Sequence, residues 1–169
     1  MKKLLFLSAI VFLNFSSYAQ AEGTIKLYGF KQLVSGGRAP DIVAGTTTKT
    51  SNGAGRNYFI YAASSSRIYP SEMWIEGVRY GVSVRLIAKT PVEYSDEANV
   101  GSPKKVLVPK TSKKVIQLTP IPATVSKSIP VKPQALAASN ELVVLYKQNG
   151  KFYYAAIKVL SGMVGAAMQ

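Results

Sequence analysis

The chain contains no cysteine and no histidine. Without them, Ser-His-Asp and Cys-His nucleophile arrangements are impossible, and the usual zinc sites lose their ligands. No disulfide can brace the fold, so packing or assembly must hold it. Acidic residues are scarce as well, 8 Asp and Glu against 21 Lys and Arg, for a net charge of +13. No Asp- or Asn-rich loop of calcium spacing is present. Gly53-Ala54-Gly55 opens like a nucleotide-binding turn but continues into Arg56-Asn57-Tyr58, without the glycine and helix that such a turn requires. Ser102 and Lys105 have Ser-x-x-Lys spacing, yet the intervening Pro103 opposes the helix that aligns such a pair. No cofactor and no metal is expected from this inventory.

What the chain does have begins with a leader. Lys2 and Lys3 precede an apolar run from Leu4 to Phe15, broken only by Ser8 and Asn14, and Ala19-Gln20-Ala21 closes it as a small-x-small site. That order describes a cleavable secretory signal over residues 1–21; cleavage after Ala19 fits the same pattern. The run is too short for a spanning helix, which needs about 20 apolar residues, and no later segment is apolar enough, so no transmembrane helix is expected after cleavage. The expected setting is secreted or periplasmic. Residues 22–169 are the right length for a single domain with its own core. All 8 acidic residues lie beyond the leader and two lysines lie within it, so this part carries +11 against +13 for the whole. Such an excess draws anionic partners. Outside the cytoplasm these are envelope polymers, membrane surfaces or acidic proteins, with nucleic acid disfavoured. The plainer role of net charge is solubility.

Tyr, Val and Ile are frequent and helical spacing is missing, which favours strands. Thr24 to Val34 reads as a strand whose apolar face switches near Gly29, the mark of a bulge. Gly45 to Arg56, rich in Thr, Gly, Ser and Asn, reads as a long loop. Asn57 to Ala63 has apolar residues on both faces. Met73-Trp74-Ile75 runs into a turn at Glu76-Gly77. Val78 to Ala88 alternates most clearly: Val78, Tyr80, Val82, Val84, Leu86 and Ala88 share one face, which predicts a sheet with one solvated side. Near the C-terminus, Asn149-Gly150 suits a two-residue hairpin turn because both positions need positive φ. The implied register sets Tyr146 opposite Tyr153, Val144 opposite Ala155, Leu142 opposite Ile157 and Glu141 opposite Lys158. An aromatic pair and an ion pair fall into line, each worth about 0.2–1 kcal/mol.

Between Glu97 and Glu141 there is no acidic residue but there are seven lysines: Lys104, Lys105, Lys110, Lys113, Lys114, Lys127 and Lys132. Six of the nine prolines fall there too. Val106-Leu107-Val108 and Val115-Ile116-Gln117-Leu118 read as an edge hairpin, and the prolines after Thr119 as extended, polyproline-like chain. Residues 101–138 are thus a basic edge hairpin and strap, suited to docking on an anionic polymer, membrane surface or partner protein. The ordinary role of such residues is to protect a sheet edge from aggregation.

A second candidate surface combines arginine with aromatic rings, which stack on sugars, bases or partner side chains. Arg67, Tyr69, Trp74, Arg79 and Arg85 are its members; core packing is the commoner use of such rings. Carboxylate catalysis would need two acids held across a substrate. Glu72 and Glu76 flank Trp74, and Glu93, Asp96 and Glu97 cluster after Pro91, but nothing in the spacing makes them converge, and surface charge is their ordinary role.

The sequence therefore predicts an all-β domain, a small antiparallel sandwich or partly open barrel of about six to eight strands. It carries a C-terminal β-hairpin and a Pro/Lys-rich strap. The function expected is non-enzymatic binding or structure at the cell envelope or in the extracellular space. The alternatives are a subunit of a larger envelope assembly and a carboxylate-dependent enzyme acting on cell-wall or sugar polymers. A small outer-membrane barrel fits the length, but the basic, proline-rich interval interrupts the continuous apolar band it would need.

Overall fold

The computed structural model describes residues 25–34, 55–95, 104–123 and 131–163. They form, in order, β1 (Ile25–Val34), β2 (Gly55–Ser64), β3 (Tyr69–Ile75), β4 (Val78–Ile87), β5 (Val92–Tyr94), β6 (Lys105–Val108), β7 (Lys114–Pro122), α1 (Val131–Ser139), β8 (Leu142–Gln148), β9 (Lys151–Ile157) and β10 (Ser161–Met163). Eight strands make one sheet in the order β10-β1-β2-β7-β4-β3-β8-β9, and β5 and β6 make a second. Every pairing is antiparallel except that of β10 with β1. The large sheet curls into a half-barrel, the partly open barrel that the strand pattern predicts.

Two turns pin the local register. Glu76 and Gly77 have φ of 49° and 81°, Asn149 and Gly150 of 49° and 80°. Two residues in the left-handed region match the right-handed twist of the strands they join. The C-terminal hairpin has the predicted register throughout, Leu142 opposite Ile157 to Gln148 opposite Lys151. The rings of Tyr146 and Tyr153 stack at 5.8 Å. Only the outermost pair differs: Glu141 donates its N–H to the Lys158 carbonyl at 3.1 Å, while its carboxylate binds Lys31.

Period-two alternation divides each strand between two environments. Inside the curl, Ile60, Ala62, Met73, Ile75, Leu118, Leu142, Val144 and Leu160 form the main core. The convex side is covered in two places. The small sheet packs Leu107 and Val108 on Phe30, Tyr61, Ala63 and Val115. Helix α1 packs Ala137 on Trp74 and Val143. β2 is thus covered on both faces, as its sequence predicts.

Gly29 is not a bulge, because β1 pairs with β2 without a register shift from Ile25 to Val34. Its lack of a side chain serves close packing instead: a Cβ there would lie 2.4 Å from Leu160 Cδ2 and 3.0 Å from Ile157 Cδ1. β6 and β7 do not form an edge hairpin either. β6 pairs with β5, and β7 lies between β2 and β4. Pro120 and Pro122 are tolerated in β7 because β2 stops pairing with it at Leu118, leaving β4 as their neighbour on one side. Nor is the strap extended throughout, since residues 131–139 are helical. Pro133 sits in the first turn of α1, where backbone N–H groups have no partner within the helix. Residues 124–130 of the strap, and the expected loop before Gly55, lie outside the described residues.

Candidate functional site

The two ends of the half-barrel differ in charge chemistry. At one end, the Lys31 ammonium lies 2.9 Å from both carboxylate oxygens of Glu141 and 3.5 Å from Glu76. Arg56 also donates to Glu76, and Tyr58 Oη lies 3.2 Å from it. The Leu160 N–H donates to Glu141 Oε2 at 2.7 Å. The Lys31 bond, then the Leu160 N–H, holds the Glu141 carboxyl below its ordinary range, and the same Lys31–Glu141 bond raises the lysine. This end is closed by its own charges.

The opposite end holds a cleft of about 780 Å³, where β2 and β4 end and β3 and β7 begin. Its floor follows from strand register. Ala62 on β2, Ile116 on β7 and Leu86 on β4 stand side by side. One row inward are Ile60, Leu118 and Val84; one row outward, Ser64 stands beside Lys114. The rim adds Arg67, Lys89 and Lys113, with the hydroxyls of Ser66, Thr90, Thr111 and Ser112. Among the described residues, no carboxylate lines the cleft. Thr90 Oγ1 donates to the Thr111 carbonyl and accepts from the Thr111 N–H, each at 3.1 Å, which ties the β4–β5 and β6–β7 connections together. Gln148 donates to Ser66 Oγ from the β8 side.

The seven predicted lysines do not act as one arm. Lys113 and Lys114 line the cleft. Lys104 pairs with Glu93 at 3.8 Å. Lys105 donates to the Gly162 carbonyl at 2.7 Å and lies 5.5 Å from the centre of the Phe30 ring. Lys110 is exposed but is not part of the cleft lining. Lys132 belongs to the first turn of α1, and Lys127 lies outside the described residues.

The arginine-aromatic surface is likewise divided. Arg67 lies 5.0 Å from the centre of the Tyr69 ring, and both line the cleft. Trp74 is 2% exposed beneath α1. Arg79, opposite Trp74, bonds to Glu72. Arg85 is exposed on the other face of β4 from Leu86, since neighbouring residues alternate. The division follows from the same alternation: Trp74 points away from the interior that Met73 and Ile75 fill.

Lys89, Val84 and Leu86 were not foreseen as site residues. The alternation in β4 reveals which face is apolar but not whether anything covers it. Tyr80 and Val82 pack on the main core, whereas Val84 is 46% and Leu86 67% exposed.

All four described carboxylates, Glu72, Glu76, Glu93 and Glu141, are in ion pairs away from the cleft. Arg67, Lys89, Lys113 and Lys114 are in none among the described residues. Also among these residues, no group of three potential metal ligands converges, and no helix is long and apolar enough to cross a membrane. Fold and site thus define a basic half-barrel with a cation-rimmed, apolar-floored cleft. Comparison with family models, curated proteins and solved structures yields no match.

Proposed function

We propose that this chain is an exported, non-enzymatic binding protein of the envelope or extracellular space, and that its cleft captures an anionic partner. The observation that carries the reading is the charge asymmetry of the cleft: among the described residues, four cations at the rim and no carboxylate in the lining. The four acids among the described residues, Glu72, Glu76, Glu93 and Glu141, are engaged elsewhere. A concavity lined with one sign of charge concentrates counter-ions and guides them in. The Thr90–Thr111 tie reduces the freedom that two rim segments would lose on binding. Export rests on the leader, and the excess of +11 beyond it would give the same attraction at longer range.

The test is retention of the chain from Glu22 onward on immobilised dextran sulfate. Retention at low salt with release at moderate salt is expected, because the Debye length falls to about 10 Å at 0.1 M. Failure to bind, or retention that ignores salt, contradicts the proposal.

A further inference from the structure

We infer that the occupant of the cleft is a single-chain anionic amphiphile, its acyl chain on Leu86, Val84 and Ile116 and its head group held by Lys113, Lys114 and Arg67. This inference rests on the anion-binding reading of the same cleft and names the ligand class.

The polarity of the cleft changes row by row along the strands. The exposed Val84, beside the buried core residues Ile60 and Leu118, gives way to Ala62, Ile116 and Leu86, and these to Ser64 beside Lys114. Val84, Leu86 and the half-buried Ile116 therefore leave an apolar strip directly beneath a cationic rim. A bare anion or a charged polymer has no use for that floor. Leaving Leu86 and Val84 in water forgoes part of the roughly 1.5–3 kcal/mol that full burial of such a side chain contributes. A ligand with an apolar tail and a negative head recovers that burial and also meets the rim cations, which are in no ion pair among the described residues. The volume of about 780 Å³ lies within the range of roughly 300–1,000 Å³ typical of small-molecule pockets. A flat bilayer is a poorer fit to this site, because Tyr69, Val84 and Leu86 line a concavity.

Titration calorimetry of the chain from Glu22 with dodecanoate below its micelle concentration tests this, with acetate and dodecyl maltoside as controls. One dodecanoate per chain is expected, with no acetate binding and maltoside weaker by about tenfold or more. Leu86→Asp should weaken dodecanoate binding by at least about tenfold, and Lys113→Glu with Lys114→Glu should do the same. Leu86 is largely exposed, so circular dichroism should be unchanged; should the aspartate unfold the chain, Leu86→Ser serves instead. Dodecanoate that fails to saturate, or binds the Leu86 variants as tightly as the parent, overturns the inference. So does binding seen only with micelles or vesicles. A parent chain that is retained on dextran sulfate but ignores dodecanoate overturns the amphiphile and leaves the anion-binding reading intact; one that binds neither overturns both.

Discussion

Lys31 and Glu141 stand 110 residues apart in sequence and meet at 2.9 Å, joining the strand that opens the described sheet to the hairpin that curls back against it. Glu141 also takes the Leu160 N–H, on the segment that crosses from β9 to β10. A single carboxylate thus fixes three segments at the closed end. Its pKa is depressed below 4.5, so its contribution to stability is complete above that value and is lost as pH falls through the lower, folded value. The lysine is raised above 10.5, so its contribution is complete below that and is lost at still higher pH. Glu141→Gln should lower Tm at neutral pH and flatten the acid limb of a Tm-against-pH profile. An unchanged acid limb in the variant contradicts this role.

Gly29→Ala should destabilise the fold by about 1–3 kcal/mol through overpacking, outweighing the usual entropic gain from removing a glycine. The added methyl would meet Leu160 at 2.4 Å. Urea titration measures the loss. The double variant with Leu160→Ala should show a favourable coupling, because the clashing atom is gone.

Trp74 belongs to the contact between α1 and the sheet, and is no part of a binding face. Trp74→Ala should cost about 3–5 kcal/mol, whereas Trp74→Phe should leave retention on dextran sulfate unchanged. Being the sole tryptophan, it also reports on the helix: Ala137→Glu should undock α1 and shift the emission to longer wavelength. Loss of binding in folded Trp74→Phe would return the residue to the site.

Tyr146 is fully buried, and its hydroxyl has no hydrogen-bond partner among the described residues. An unsatisfied buried donor costs about 1–3 kcal/mol. Tyr146→Phe should therefore be neutral or stabilising in thermal denaturation, and a clear drop in Tm would show that the hydroxyl is satisfied.

The C-terminal hairpin was legible in the sequence because its determinants are local. Asn149-Gly150 sets the turn, and the turn sets every pair from Gln148–Lys151 to Leu142–Ile157. The place of β7 was not legible, because its neighbours β2 and β4 come from far along the chain and any edge would have suited its prolines. Helix α1 was hidden by Pro130 and Pro133, although Gln134 to Ala138 are mostly good helix formers and Pro133 falls where a helix tolerates it. For the cleft, Lys113, Lys114, Arg67 and Tyr69 were visible as residues but assigned to two separate surfaces. Lys89 and Leu86 were invisible because exposure depends on what packs opposite a face, and a single strand carries no record of that.

The most direct test separates the cleft from net charge. Two variants lose the same number of positive charges: one changes Arg67, Lys89, Lys113 and Lys114 to Ser, the other the exposed Lys26, Arg85, Lys151 and Lys158, none of which lines the cleft. Binding is then compared on dextran sulfate at one fixed salt concentration. Loss of retention in the first variant with near-parental retention in the second is the predicted result. Equal weakening in both would mean that the positive excess acts as a whole and that the cleft is not the site.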